Sequence, residues 1–230
     1  MHYHYLLAGL PNLENDSSKP VPDHEWLRGE LEEQLTASDL RLIDLVSEDS
    51  GDVQLTEEQR THADELSEPA KTNFLAGLHY ARGLKSANGF VRQWFEYLLN
   101  VNNIISALTC RKHGWDIKQQ IVGEGEVAQL LRTSTLRDFG LSPIIEDYET
   151  IAAIAADDDL YSRERKIDAL KWQWLEDHSF NHYFGIEQVI AYWLQVKLLT
   201  RWKPLTIEQG TETFRSLLSD LQHGTENVEI

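Results

Sequence analysis

Two histidines four residues apart, His178 and His182, are the nearest this sequence comes to a metal site, because that spacing on a helix turns two imidazoles toward one ion. The intervening Ser179-Phe180-Asn181 reads as a helix junction, and no HExxH base accompanies the pair. Both are therefore read as surface or capping histidines. His2 and His4 are at most weak chelators at a terminus. Cys110, the one cysteine, lies in an apolar helical stretch and reads as a buried thiol rather than a nucleophile. A single cysteine also excludes a disulfide framework and a thiolate zinc site. Glu146 with Glu149, and the run Asp157-Asp158-Asp159, lack the regular oxygen spacing of a calcium loop and read as helix-end and surface charges. GxxxxGK[ST], GxGxxG and GxSxG are missing, and Gly123-Glu124-Gly125 alone cradles no phosphate. The expectation is a chain with no catalytic residue, no cofactor and no metal. An enzyme would have to work through residues that the sequence does not single out.

Charge narrows the choice of partner. The 230 residues carry 21 Lys and Arg against 38 Asp and Glu, for a net charge of −17. From Asn12 to Glu68 there are 17 acidic and 4 basic residues, so −13 of that charge is local. Such a field repels phosphate backbones and argues against nucleic acid. Its plain reading is a solvated face. Its functional reading is a docking surface for a basic partner, with Glu30, Glu32 and Glu33 as candidate contact residues. No apolar run is long enough to span a bilayer and no cationic leader opens the sequence, so a soluble protein of a reducing compartment is expected.

The elements that must carry these residues are helical. Alternation of apolar and polar residues never persists, whereas a 3.6-residue period recurs almost throughout. Tyr3 to Pro11 is a helix turn or a short extended segment, and residues 12–22, with Pro20 and Pro22, form a loop. A helix from Asp23 lines up Leu27, Leu31 and Leu35. A break and N-cap at Thr36–Asp39 starts another, with Leu40, Ile43 and Val46 inward. Thr56 with Gln59 makes a capping box. From Phe90 to Lys112, closed by Gly114, two apolar stripes run side by side: one passes through Asn102 and Ile105, the other through Trp94 and Ile104. So wide an arc implies a central helix touched on two sides. Residues 115–125 form an irregular connection before a short helix at Glu126–Arg132. Ser142-Pro143 looks like an N-cap and first-turn proline for a helix running to Ala156. Another helix runs from Arg163 to Asp177. Gly185 to Trp202 is apolar nearly all round and stopped by Pro204. Thr206 with Gln209 opens a last amphipathic helix carrying Phe214, Leu217, Leu218 and Leu221. The fold class is all-α: one helical bundle over residues 1–230, with lobes at 1–113 and 126–224. Trp94, Ile105, Ile190 and Trp193 are its expected core.

Two of these segments resemble a known family. Phe95-Glu96-Tyr97-Leu98-Leu99-Asn100-Val101-Asn102-Asn103-Ile104, followed by Ala107-Leu108-Thr109-Cys110-Arg111-Lys112, is similar to a stretch of the C-subunit family of the V/A-type rotary ATPases. There an aromatic-rich segment leads into Asn-Ile or Asn-Leu and then to Leu and Arg with a basic neighbour. Phe184-Gly185-Ile186-Glu187-Gln188-Val189-Ile190-Ala191-Tyr192-Trp193-Leu194 looks like the opening of the same family's last helices. Three blocks resemble an uncharacterised bacterial branch related to that family: Tyr3 to Pro11, Ala169 to Leu175, and Arg201-Trp202 with Gly210 and Phe214. Together the matching segments cover about half the chain, and all are packing patterns rather than chemical motifs.

What the resemblance implies is mechanical. Members of that family are all-helical sockets between the central shaft and the membrane rotor ring; they transmit torque and hydrolyse nothing. The implied partners are central-shaft subunits and the ring, with ion transport the task of the whole complex. The implied place is cytoplasmic and peripheral at the inner membrane. Asn103 and Arg111, in the first matching segment, become candidate partner-binding residues beside Glu30, Glu32 and Glu33. The chain departs from the family in being shorter than members with three helical lobes and unusually acidic between Asn12 and Glu68. The competing expectation is a helical adaptor unconnected with ATPases.

Overall fold

The computed structural model describes residues 3–202, of which 69% are helical, with no strand among them. Ten α-helices follow one another: α1 (His4–Gly9), α2 (His24–Gln34), α3 (Ala37–Ser47), α4 (Glu57–Glu65), α5 (Glu68–Leu84), α6 (Gly89–His113), α7 (Glu126–Thr133), α8 (Tyr148–Ala155), α9 (Leu160–Ser179) and α10 (Ile186–Trp202). Short 3₁₀ turns occupy Ser50–Asp52 and Ile117–Gln119. The Thr206–Leu221 helix lies outside the described residues.

Polar side chains start five of these ten helices where free amides need acceptors. Asp23 accepts from the amides of Glu25 and Trp26 at the head of α2, and Thr36 from Asp39 at the head of α3. Thr56 and Gln59 form the reciprocal capping box of α4. Asn88 accepts from Val91 at 3.0 Å to open α6, and Gly114 closes it at φ +71°, a left-handed conformation that glycine adopts without steric cost.

α6 organises the interior. Phe90, Val91, Trp94 and Phe95 enter one buried cluster; Val101, Ile104 and Ala107 enter a second. The first cluster draws on both ends of the described chain: Tyr3 and Leu6 of the N-terminal turn, Leu27, Leu31, Ile43 and Val46 of α2 and α3, Trp174 and Leu175 of α9, and most of α10. The buried members of the second all fall within residues 101–151, including Leu131 of α7, Phe139, Leu141 and Ile151 of α8, with Tyr97 and Leu170 of α9 packed against them at its margin. Buried residues are thus grouped along α6 rather than by order in the chain. α5 lies against α6 so closely that a Cβ on Gly83 would stand 2.0 Å from the Phe95 ring.

Several expectations need correction. No helix starts at Ser142: residues 142–147 run through turns, and α8 begins at Tyr148. The chain reverses at Phe139 and Gly140, φ +56° and +76°, so that Leu141 and Tyr148 both reach the second cluster. The amides of Ile144 and Ile145 both turn back to the Leu141 carbonyl and that of Tyr148 to Ile145, so separate turns stand where the first helical turns were expected. α9 begins three residues early, at Leu160, because Asp159 caps it by accepting from the Ser162 amide at 2.9 Å. The Thr56 capping box opens α4 as expected, and a break at Leu66–Ser67, with Pro69 in the first turn, starts α5. Tyr3 to Pro11 resolves as α1. Trp94, Ile190 and Trp193 are core, whereas Ile105 is half-buried against the second cluster. On the same helix Asn102 faces out, and Asn103 faces in.

Candidate functional site

The five candidate partner-binding residues divide into two sets. Glu30, Glu32 and Glu33 ride on α2, whose other face buries Leu27 and Leu31. Glu32 accepts from Arg28 Nε at 2.7 Å, and the same guanidinium reaches Asp44 on α3 at 2.7 Å. Chiefly through its bond to Glu32, Arg28 is held above its ordinary pKa. Glu30 accepts from Gln34 at 3.2 Å, and Glu33 is exposed. Contacts of this kind stabilise by well under about 1 kcal/mol each, so α2 presents its carboxylates to solvent.

Asn103 and Arg111 are spent within the chain. Asn103, only 2% exposed, donates from Nδ2 to the Val122 carbonyl at 2.8 Å and accepts from the Val122 amide at 2.9 Å. It thereby ties the connection after α6 back onto that helix. Arg111 Nη1 donates to the carbonyls of Leu136 and Arg137 at 3.0 and 2.6 Å, with its guanidinium 3.7 Å above the Phe139 ring. It satisfies the backbone of the reversal that feeds α8. The two sets do not converge on one surface feature.

The remaining groups settle into structural places. His178 stacks on Trp174, with ring centroids 3.9 Å apart, and its Nδ1 lies 2.9 Å from the Trp174 carbonyl. His182 falls beyond the end of α9, 3.8 Å from Glu187, so the two imidazoles do not share a helical face. His2 lies outside the described residues, and His4 packs on Phe184. Cys110 is buried, which pushes its thiol pKa up. Bonds from Lys166, Ser162 and the Asp159 amide hold the Asp157 carboxyl down at about 2, and Asp158 pairs with Lys112. No group of three or more His, Cys, Asp or Glu stands ready for a metal among the described residues.

Nothing in the sequence pointed to a cleft of about 530 Å³. Its floor is apolar, with Val46, Trp94, Phe95, Leu98, Leu194 and Leu198. Charged groups surround it: Glu48, Asp49, Lys171, Lys197 and Arg201. Lys197 donates to the Ser47 carbonyl at 2.5 Å and lies 3.8 Å from Asp49. Arg201 pairs with Glu164 and the buried Asp168. His79 Nδ1 and Thr200 Oγ1, both in the cleft wall, are buried without a hydrogen-bond partner among the described residues. Burial is the main reason the His79 pKa falls below its ordinary value. The walls come from α2, α3, α5, α6, α9 and α10, and only an end-to-end assembly of this kind creates them.

No helix among the described residues is long and apolar enough to cross a membrane. The class is therefore an all-helical protein without a membrane-spanning helix in those residues. Residues 53–225 match the model of the family described as "Protein of unknown function (DUF2764)", and the chain belongs to that family. No curated protein matches the chain, and no solved structure does. The matched region begins after α3, so Glu30, Glu32 and Glu33 precede it, while Asn103, Arg111 and most of the cleft fall inside it.

Proposed function

We propose that the protein is a non-catalytic coupling component of a V/A-type rotary ATPase, docked between the central shaft and the membrane rotor ring. The observation that carries this reading is where the resembling segments fall. Residues 95–112 belong to α6, which enters both buried clusters, and residues 184–194 contribute the start of α10, which the first cluster encloses. A continuous helix of 25 residues spans about 38 Å. Buried in both clusters along one side, it passes strain from one end to the other, because close-packed interiors transmit strain rather than absorb it. That is the mechanical property a coupling socket needs. The acidic carboxylates of α2 supply the complementary half: concentrated charge steers encounter with a basic partner before close contacts form.

Recovery of the tagged protein at native expression tests the reading, with central-shaft and ring subunits expected to co-purify at low salt. Replacing Glu30, Glu32 and Glu33 together by Gln should lower the association rate with those subunits more than it raises the dissociation rate. Because screening shortens to about 8 Å near physiological ionic strength, the unaltered protein's association should slow as salt rises. Recovery of other proteins without any part of a rotary ATPase would replace this reading with that of a general helical adaptor.

A further inference from the structure

We infer that the hollow between the end of α6, the reversal at 136–140 and the start of α8 binds a small phosphate monoester. It measures about 520 Å³, within the roughly 300–1,000 Å³ usual for small-molecule sites. In a chain of net charge −17, three of its eight lining residues are cations: Arg111, Lys112 and Arg137. Leu108 and Ala152 give it an apolar side.

Arg111 is oriented in advance. Its Nη1 donates to the Leu136 and Arg137 carbonyls, and its guanidinium lies on the ring of the fully buried Phe139. Nε and Nη2 make no hydrogen bond among the described residues, so the fork keeps donors for an oxyanion. Arg137 is exposed and forms no ion pair among those residues. Lys112 pairs with Asp158 at the surface, where such a pair stabilises little and yields to a competing anion. Tyr148 lines the same hollow at 4% exposure, yet its hydroxyl has no hydrogen-bond partner among the described residues. A phenol so buried ordinarily finds one. Burial raises its pKa, and Asp138, Arg111, Glu149 and Arg137 all act on it, so the charged groups converge on that hydroxyl.

The two carboxylates leave the cations available. Asp138 accepts from the Gly140 amide at 3.0 Å, and that bond, with one from Ser142, holds its carboxyl below its ordinary pKa. It is engaged with the backbone of the reversal. Glu149 is exposed and unpaired among the described residues, and accepts from a hydroxyl on the ligand's organic part. Three cations and a phenol exceed what a single carboxylate uses. They suit a phosphate dianion with three acceptor oxygens.

Titration of the full-length, isotopically labelled protein with glycerol 3-phosphate at constant ionic strength, read by amide chemical shifts, tests the inference. Saturable shifts are expected at residues 108–113, 136–140 and 148–152, with little change in α10. Arg137→Gln should raise the half-saturating concentration about tenfold or more and leave the urea midpoint unchanged. Tyr148→Phe, which keeps the ring in the second cluster, should raise it about threefold. Inorganic phosphate should bind more weakly than the ester, because it leaves Leu108, Ala152 and Glu149 unused. Equal binding of the two would overturn the ester assignment. Shifts that do not saturate, that spread over surface lysines and arginines alike, or that persist unchanged in Arg137→Gln would overturn the site itself.

Discussion

The two buried clusters on α6 are made in opposite ways. The second is local: its members span residues 101–151, so short loops close it at small entropic cost. The first joins Tyr3 to Val196 and is rich in aromatic rings, with Trp94, Tyr97, Trp174 and His178 in successive contact. The family match contains every member of the second cluster and cuts through the first, leaving Tyr3 to Val46 outside. Yet Leu27, Leu31 and Ile43 from that outer stretch are fully buried. The acidic N-terminal stretch is therefore no detachable tail. It supplies carboxylates to the surface and apolar side chains to the core, and losing it would open the first cluster while sparing the second.

The largest expected effect breaks the first cluster at its centre. Trp193 is 1% exposed, donates to Ser47 at 2.7 Å and packs on the His24 ring at 4.2 Å, joining α10 to α3 and α2. Trp193→Ala should cost about 3–5 kcal/mol, measured by urea denaturation. Hydrogen exchange on the same variant sharpens the comparison: α2 and α10 should lose protection before α7 does. Simultaneous loss in all three helices would show that α6 welds both clusters into one cooperative unit.

A smaller effect is expected where the second cluster meets its connecting loop. Asn103→Leu removes both bonds to Val122 and leaves its amide and carbonyl without those partners. The cost should be about 2 kcal/mol, with exchange rising at residues 117–123 and little change in α10. Equal loosening of α10 would contradict a local role for this side chain.

How much of this the sequence disclosed depends on the range of the interaction. α6 was legible from start to stop because its periodicity, its wide apolar arc and Gly114 are all local signals. Thr56 with Gln59 was legible for the same reason. Ser142-Pro143 carried an equally good local signal and misled: turns close there on the Leu141 and Ile145 carbonyls in place of a helical ladder, and no pattern in the sequence announces them. Asn103 and Arg111 stood out only through a resemblance, and no local pattern announces a partner 19 residues away at Val122 or 25 away at Leu136. The cleft was hidden for that reason too, since six helices from across the chain make its walls.

The smallest expected effect uses pH to separate the clusters. His79 packs beside Phe95, 5.1 Å between ring centroids, on the first-cluster side of α6. Burial lowers its pKa; Glu48 and Asp49 push it up, while Arg82 and Lys197 push it down. A histidine whose folded pKa lies below its unfolded value of about 6.5 is charged more readily in the unfolded chain. Its neutral packing therefore contributes fully above about pH 6.5, and that contribution is lost as pH falls toward the lower folded value. Urea midpoints measured from about pH 7.5 down to about pH 5 should decline more in the unaltered protein than in His79→Phe, which keeps a ring against Phe95 and removes the titration. Exchange in α10, corrected for its intrinsic pH dependence, should follow that decline while exchange in α7 does not. Identical pH slopes for the two proteins would show that His79 is protonated as easily folded as unfolded, and that acid does not distinguish the two halves of the core.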